Sequence, residues 1–235
     1  MKVEIWSDVM CPFCYLGKRN FETALQNFSD KEEIEIEWKS FQLDSTIPET
    51  ANESYEDYLI KTKGMAREQV KNMLDNVTKV AKEAGLEYKF DKSLMVNSKK
   101  AHQLIQFAKT KNLGNEPEER LFHAFFTEGK SIADLETLTQ LGIEIGLNGS
   151  ELQEAFTNEK YEQLVDKDIN EARQIGVNGV PFFVFDRKYA VSGAQQPQAF
   201  LDTLEKSFVE WRKLNPLNKF EIIEGQSCTT DSNCN

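Results

Sequence analysis

Two cysteines three positions apart, Cys11 and Cys14, stand in the stretch "DVMCPFCYLGK". Thiols at this spacing can bind a metal, close a structural disulfide, or pass electrons by disulfide exchange. Pro12 suits the first turn of a helix, where its missing N–H leaves no bond unmade. Cys11 then falls at the helix N-terminus, where unpaired N–H groups and the macrodipole favour a thiolate. Cys14 lies one turn further in and is expected to be the more buried. This order predicts that Cys11 attacks a substrate disulfide and that Cys14 resolves the mixed disulfide. A second pair, Cys228 and Cys234, stands in the C-terminal "SCTTDSNCN". With the first pair it could complete a zinc tetrahedron. It could also close a short tail disulfide or serve as a second redox pair. A cysteine at a helix start, followed at once by proline, favours the redox reading over zinc.

The elements that must hold these thiols follow from periodicity. Val3, Ile5 and Val9 mark a first strand and its exit. Tyr15, Leu16, Phe21, Leu25 and Phe28 recur at helical spacing. "EIEIEWKSFQL" alternates, so Ile34, Ile36 and Trp38 share one strand face. From about Tyr55 to Ile175 apolar stripes predict helices almost throughout, with breaks at Gly85, Gly114, Gly129, Gly146 and Gly149. "SELQ" at Ser150 to Gln153 has capping-box form. Strands return at "GVPFFVFDRKYAVSGAQ", where Asp186-Arg187 can turn a hairpin. A last amphipathic helix follows Pro197, with Leu201, Leu204, Phe208 and Trp211 on one face. The expected organisation is a discontinuous α/β domain, residues 1–50 and 177–212, interrupted by a helical insertion, 51–176. A polar tail, 213–235, carries the apolar patch Phe220-Ile222-Ile223 and the second cysteine pair.

Val180-Pro181 sits at a strand start, a position open to a residue that cannot donate to the ladder. A cis bond here would leave the Val180 backbone as an unpaired edge beside the thiols. An extended substrate segment could pair with that edge. Pro12 and Phe13, between the cysteines, are candidates for lining the same surface.

The chain has 235 residues, 40% of them hydrophobic, and a net charge of −11. That suits one large domain with a substantial core. The acidic balance argues against nucleic acid and against an anionic membrane surface. No apolar run is long enough for a membrane-spanning helix. Met1-Lys2 leads straight into the first strand with no apolar leader, which predicts a cytoplasmic protein. In a reducing compartment, paired cysteines more often exchange disulfides or bind metal than staple a fold.

Other residues are weighed against their ordinary roles. His102 is expected to be a packing or capping histidine, with a place in the active-site wall as the alternative. His123 is expected to be structural. Trp6 is expected in the core at a strand end, or else in the groove near Cys11. Glu4 and Asp8 are candidate proton acceptors for Cys14, set against the more ordinary state of a solvated surface charge. The charged runs Glu116 to Arg120 and Lys31 to Glu33 read as solvated faces. Phe122, Phe125 and Phe126 read as core; facing the thiols, they would instead form a wall for unfolded peptide.

"DVMCPFCYLGK" and "GVNGVPFFVFDRKYAVSGAQ", separated by helices carrying "NSKKAHQL", resemble the DsbA-like thioredoxin-fold proteins, and within them the FrnE-like dithiol–disulfide isomerases. The resemblance covers about residues 1 to 212. It implies a thioredoxin fold interrupted by a helical domain, with Cys11 as nucleophile, Cys14 as resolving thiol and Pro181 as cis-proline. It implies thiol–disulfide oxidoreductase activity on protein or peptide thiols and disulfides. It implies no cofactor beyond the redox-active disulfide, with glutathione a candidate co-substrate. DsbA-type oxidants often carry histidine just before the second cysteine. This chain has Phe13, which favours a reductase or isomerase over an oxidase. The glutathione-dependent small-molecule isomerases of the family usually have serine at the place of Cys11. The competing reading is a peptide-binding module in which redox chemistry is secondary.

Overall fold

A computed structural model describes residues 1–50 and 53–216. Cys228, Cys234 and the Phe220-Ile222-Ile223 patch lie outside the described residues. The chain opens with β1 (Lys2–Ser7), α1 (Pro12–Gln26) and β2 (Glu35–Ser40). Seven helices follow: α2 (Tyr55–Lys63), α3 (Arg67–Glu83), α4 (Lys99–Lys109), α5 (Asn115–His123), α6 (Leu135–Glu144), α7 (Gly149–Thr157) and α8 (Glu159–Gln174). The hairpin β3 (Phe182–Phe185) and β4 (Tyr189–Ser192) and the helix α9 (Pro197–Leu214) complete it.

The four strands lie in the order β2-β1-β3-β4. β1 pairs parallel with β2, with Ile5 opposite Trp38, and antiparallel with β3, with Ile5 opposite Phe183. β3 and β4 are antiparallel. Asp186 and Arg187 turn this hairpin with φ of 48° and 54°. Positive φ at both central residues matches the twist of the strands.

β1 is central, so both its faces are covered. Val3 and Ile5 meet Phe21 of α1, Phe183 and Phe185 of β3, and Phe200 and Leu204 of α9. Each such buried side chain contributes roughly 1.5–3 kcal/mol. On the other face Trp6 meets Ala172 of α8, Val177 and Val184. Trp6 donates its indole N–H to the Asp168 carbonyl at 3.0 Å. It is wholly buried and takes no part in a groove at Cys11.

Glu4 lies on this second face and is buried too, which corrects the expectation of a solvated charge. The pleat alternates sides, so a polar residue between Val3 and Ile5 must face α8. There Lys39 Nζ lies 2.9 Å from Glu37, 3.4 Å from Glu171, 3.5 Å from Asp168 and 3.7 Å from Glu4. Arg187 closes the network on Glu4 and Glu171.

The helices between β2 and β3 enclose a second core. Phe122, Phe125 and Phe126 are fully buried in it, the last two on a π-helical turn, Ala124–Glu128. α7 is capped by Asn148, whose side chain accepts the Glu151 N–H at 3.1 Å. Gly149 and Ser150 are therefore inside the helix; the cap precedes the expected one because Asn148 already meets the orphan N–H. α1 bridges the two cores. Its Phe21 and Ala24 face the sheet, while Cys14 and Tyr15 face the helical side.

Candidate active site

The thiols stand where the sheet layer meets the helical core. Cys11 is the N-cap residue of α1, with φ −89° and ψ 113°. Its carbonyl accepts the Cys14 N–H at 3.0 Å, and its own N–H donates to the Asp8 carbonyl at 2.9 Å. Pro12 occupies the first turn, as its fixed φ allows. Both cysteines are free thiols and buried, Cys11 with 4% exposure and Cys14 with 1%. Burial pushes the Cys14 thiol well above its ordinary value, and neighbouring Cys11 adds to this. The Asp8 backbone and the Ser7 side chain act the other way without overcoming it. Phe13, between the two cysteines, is 46% exposed and is the apolar side chain that the motif shows to solvent.

Across from Cys11 runs the chain leading into β3. The Val180–Pro181 peptide bond is cis. Cys11 Sγ lies 3.6 Å from the Val180 carbonyl oxygen. The Pro181 carbonyl accepts the Gly193 N–H at 2.9 Å, which ties this segment to the end of the hairpin.

Two tyrosines hold the motif from behind. Tyr88 donates its hydroxyl to the Pro12 carbonyl at 2.6 Å, and Tyr55 donates to the Met10 carbonyl at 3.2 Å. Both hydroxyls have raised pKa values, with burial the largest cause. Tyr88 lies in a loop with no local pattern, and Tyr55 opens an ordinary helix. No motif at either position announces this role.

Asp8 is fully buried, where a solvated charge was expected. Its carboxylate accepts the Leu43 N–H at 2.8 Å and the Met10 N–H at 3.3 Å, bonds that replace water. His102 of α4 is buried with its Nε2 3.6 Å from Asp8 Oδ1. It is neither a satisfied packing residue nor a cap: both ring nitrogens lack a hydrogen-bond partner among the described residues. His123 is exposed and pairs with Glu128 at 3.1 Å.

The run Glu116 to Arg120 is not a uniformly solvated face. α5 buries Pro117, Glu118, Leu121 and Phe122, a stripe at helical spacing that includes Glu118. Burial pushes the Glu118 carboxyl up to about 7, while His102 and Lys18 oppose the shift. Glu119 is also partly buried, yet Lys18, Arg19 and the Tyr15 hydroxyl hold its carboxyl down at about 2. The Tyr15 hydroxyl donates to Glu119 at 2.6 Å, and the Tyr15 ring stacks on Phe122 with centroids 4.8 Å apart. The three phenylalanines are thus core and present no wall to unfolded peptide. Among the described residues no group of three or more His, Cys, Asp or Glu is arranged to hold a metal ion.

The DSBA-like thioredoxin domain matches this chain over residues 2–205. The chain belongs to that family. Its fold is accordingly the thioredoxin fold carrying a helical insertion, as the motifs led one to expect. A solved structure of a probable DsbA oxidoreductase from Streptomyces coelicolor is similar, with 31% identity and a TM-score of 0.85. That match covers 100% of this chain and 98% of the other. YwbO of Bacillus subtilis is 29% identical over 187 residues, 77% of this chain and 85% of YwbO. The cytosolic disulfide reductase DsbM of Pseudomonas aeruginosa shares the fold at a TM-score of 0.63 and 16% identity, over 89% of this chain and 100% of DsbM. This DSBA-like domain is a thiol–disulfide oxidoreductase or isomerase by family. No helix among its described residues is long and apolar enough to cross a membrane.

Proposed function

We propose that the chain reduces or isomerises disulfides with Cys11 and Cys14. The observation that carries this reading is a free dithiol at the start of α1, with Cys11 Sγ 3.6 Å from the Val180 carbonyl. Cys11, as thiolate, attacks one sulfur of a substrate disulfide, and the other sulfur leaves as a thiolate. Cys14 then loses its proton to Asp8 and attacks Cys11 Sγ, and the second substrate sulfur leaves. The substrate gains two electrons and the protein ends with a Cys11–Cys14 disulfide. An external thiol such as glutathione restores the dithiol.

Substrate approaches along Phe13, Val180 and Pro181, with the Val180 backbone as the edge that an extended segment meets. Phe13 supports the reducing direction, because it supplies no cation to stabilise the reduced form. The same direction suits a cytoplasmic setting, the compartment named for DsbM. Residues 1–50 and 177–212 act as the redox unit in this reading, with 51–176 supplying the wall behind it.

The test is a glutathione redox titration with acid quench, alkylation and mass mapping of Cys11 and Cys14. Reversible formation of the Cys11–Cys14 disulfide at a defined potential supports the reading. Cys14→Ser should trap a Cys11 mixed disulfide with substrate, and Cys11→Ser should abolish exchange. A pair that never cycles would refute the mechanism.

A further inference from the structure

Behind the thiols the inserted helices bury two more titratable groups. His102 of α4 is fully buried, and neither ring nitrogen has a hydrogen-bond partner among the described residues. Its Nε2 faces Asp8 Oδ1 at 3.6 Å, longer than a hydrogen bond. Glu118 of α5 is 1% exposed, and its Oε2 is likewise sealed and unpartnered. Buried polar atoms are nearly always paired, because leaving one unmade costs about 1–3 kcal/mol. Two such side chains on adjacent helices, the first against Asp8, call for an explanation that packing does not supply.

We propose that His102 and Glu118 form a proton relay that takes over the proton Asp8 receives when Cys14 attacks. The proposal rests on the dithiol mechanism above. Cys14 gives its proton to the Asp8 carboxylate as its sulfur bonds to Cys11 Sγ and the substrate thiolate departs. His102 accepts that proton at Nε2 and releases one from its other nitrogen to the Glu118 carboxylate. Charge on Asp8 is thereby restored, and one proton has moved from Cys14 to Glu118. Re-reduction by an external thiol runs the path backwards.

The groups that face the relay are few. Glu118 feels His102 and Lys109 of α4, Lys18 of α1, and Asp8. Cys14 has Cys11, the Ser7 side chain and the Asp8 backbone beside it, with Tyr55 and Tyr88 behind. Lys18 is occupied by Glu119 at 2.7 Å and by Glu22, and Lys109 donates to the Trp38 carbonyl at 2.8 Å. Among these Glu118 is the carboxyl held near neutrality, at about 7. Once protonated it can accept nothing, so the relay closes as pH falls through that value. His102 and Glu118 touch no substrate and act through Asp8.

The test separates the two steps of exchange in the full chain. The reduced protein is mixed with a disulfide-bonded model peptide at a series of pH values, quenched and alkylated. Formation and decay of the Cys11 mixed disulfide are then read by mass. The expected decay rate rises with pH through an inflection near 7. Glu118→Gln and His102→Gln should each remove the inflection and slow decay at high pH by about tenfold to a hundredfold, within or below the usual worth of a positioned proton acceptor. Formation of the mixed disulfide should be unchanged. An inflection that persists in both folded variants overturns the relay while leaving the dithiol mechanism standing. A wild-type protein that forms no Cys11–Cys14 disulfide overturns both. Should the variants fail to fold, redox-difference infrared spectra of the unaltered, isotope-labelled protein decide. A protonated-carboxyl band from glutamate that changes between dithiol and disulfide supports the relay, and no change overturns it.

Discussion

Gly17 and Pro181 are in direct apposition: a Cβ on Gly17 would sit 2.9 Å from Pro181 Cγ. The helix that carries the thiols can approach the Val180–Pro181 segment only because position 17 has no side chain. Gly17→Ala should therefore push the segment off α1. Overpacking of this kind costs about 1–3 kcal/mol. The gain in helix propensity, about 1 kcal/mol, offsets only part of it. The variant should have a lower urea midpoint and slower disulfide exchange in a single turnover. A protein unchanged in both would show that the contact has no structural or functional weight.

Tyr88 reaches the Pro12 carbonyl from the helical side at 2.6 Å. Pro12 lies in the first turn of α1, so its carbonyl also has a partner within the helix. Tyr88→Phe keeps the ring and removes one bond. The expected loss is about 1 kcal/mol, the usual net worth of such a bond. Denaturant unfolding measures it, and a loss of several kcal/mol would mean that the hydroxyl organises more than this carbonyl.

Glu118 gives stability a distinct pH dependence. Its folded carboxyl titrates at about 7 against 4.5 unperturbed, so between these values the folded state binds the extra proton. Stability from this group is thus greatest below about 4.5 and declines as pH rises to about 7. The full difference is on the order of 3 kcal/mol. Urea midpoints of Glu118→Gln should lie above those of the wild type at alkaline pH and converge with them in acid. Parallel curves across the whole range would contradict the assignment.

Lys39 is the shared cation of Glu4, Glu37, Asp168 and Glu171 beneath the sheet. Its removal leaves buried carboxylates short of charge, which typically costs about 3–5 kcal/mol. Lys39→Ala should lose that much in denaturant unfolding, and Lys39→Arg much less. Equal losses in the two variants would mean that positive charge alone does not satisfy this site, since arginine keeps it.

The local features were legible because each is written in adjacent residues. The alternation of Ile34, Ile36 and Trp38 marks β2, and Cys11-Pro12 marks the start of α1. Glu118 could also have been found, since it shares a helical stripe with Leu121 and Phe122. Charge outweighed spacing in that reading, as it did for Glu4 on a strand covered on both faces. Tyr55 and Tyr88 offered no such signal.

By itself the sequence determined the pair of thiols at a helix start, a proline at the start of a returning strand, and the alternation of strand and helix around an insertion. Each depends on backbone preferences and periodicities that act over a few residues. Only the tertiary structure decided that His102 stands 3.6 Å from Asp8, that Glu118 is buried on α5, and that Tyr55 and Tyr88 grip the motif. These residues come from separate elements, and their meeting depends on how α4 and α5 pack behind α1. Packing excludes water, and the exclusion of water is what turns an ordinary glutamate into a carboxyl that titrates near neutrality.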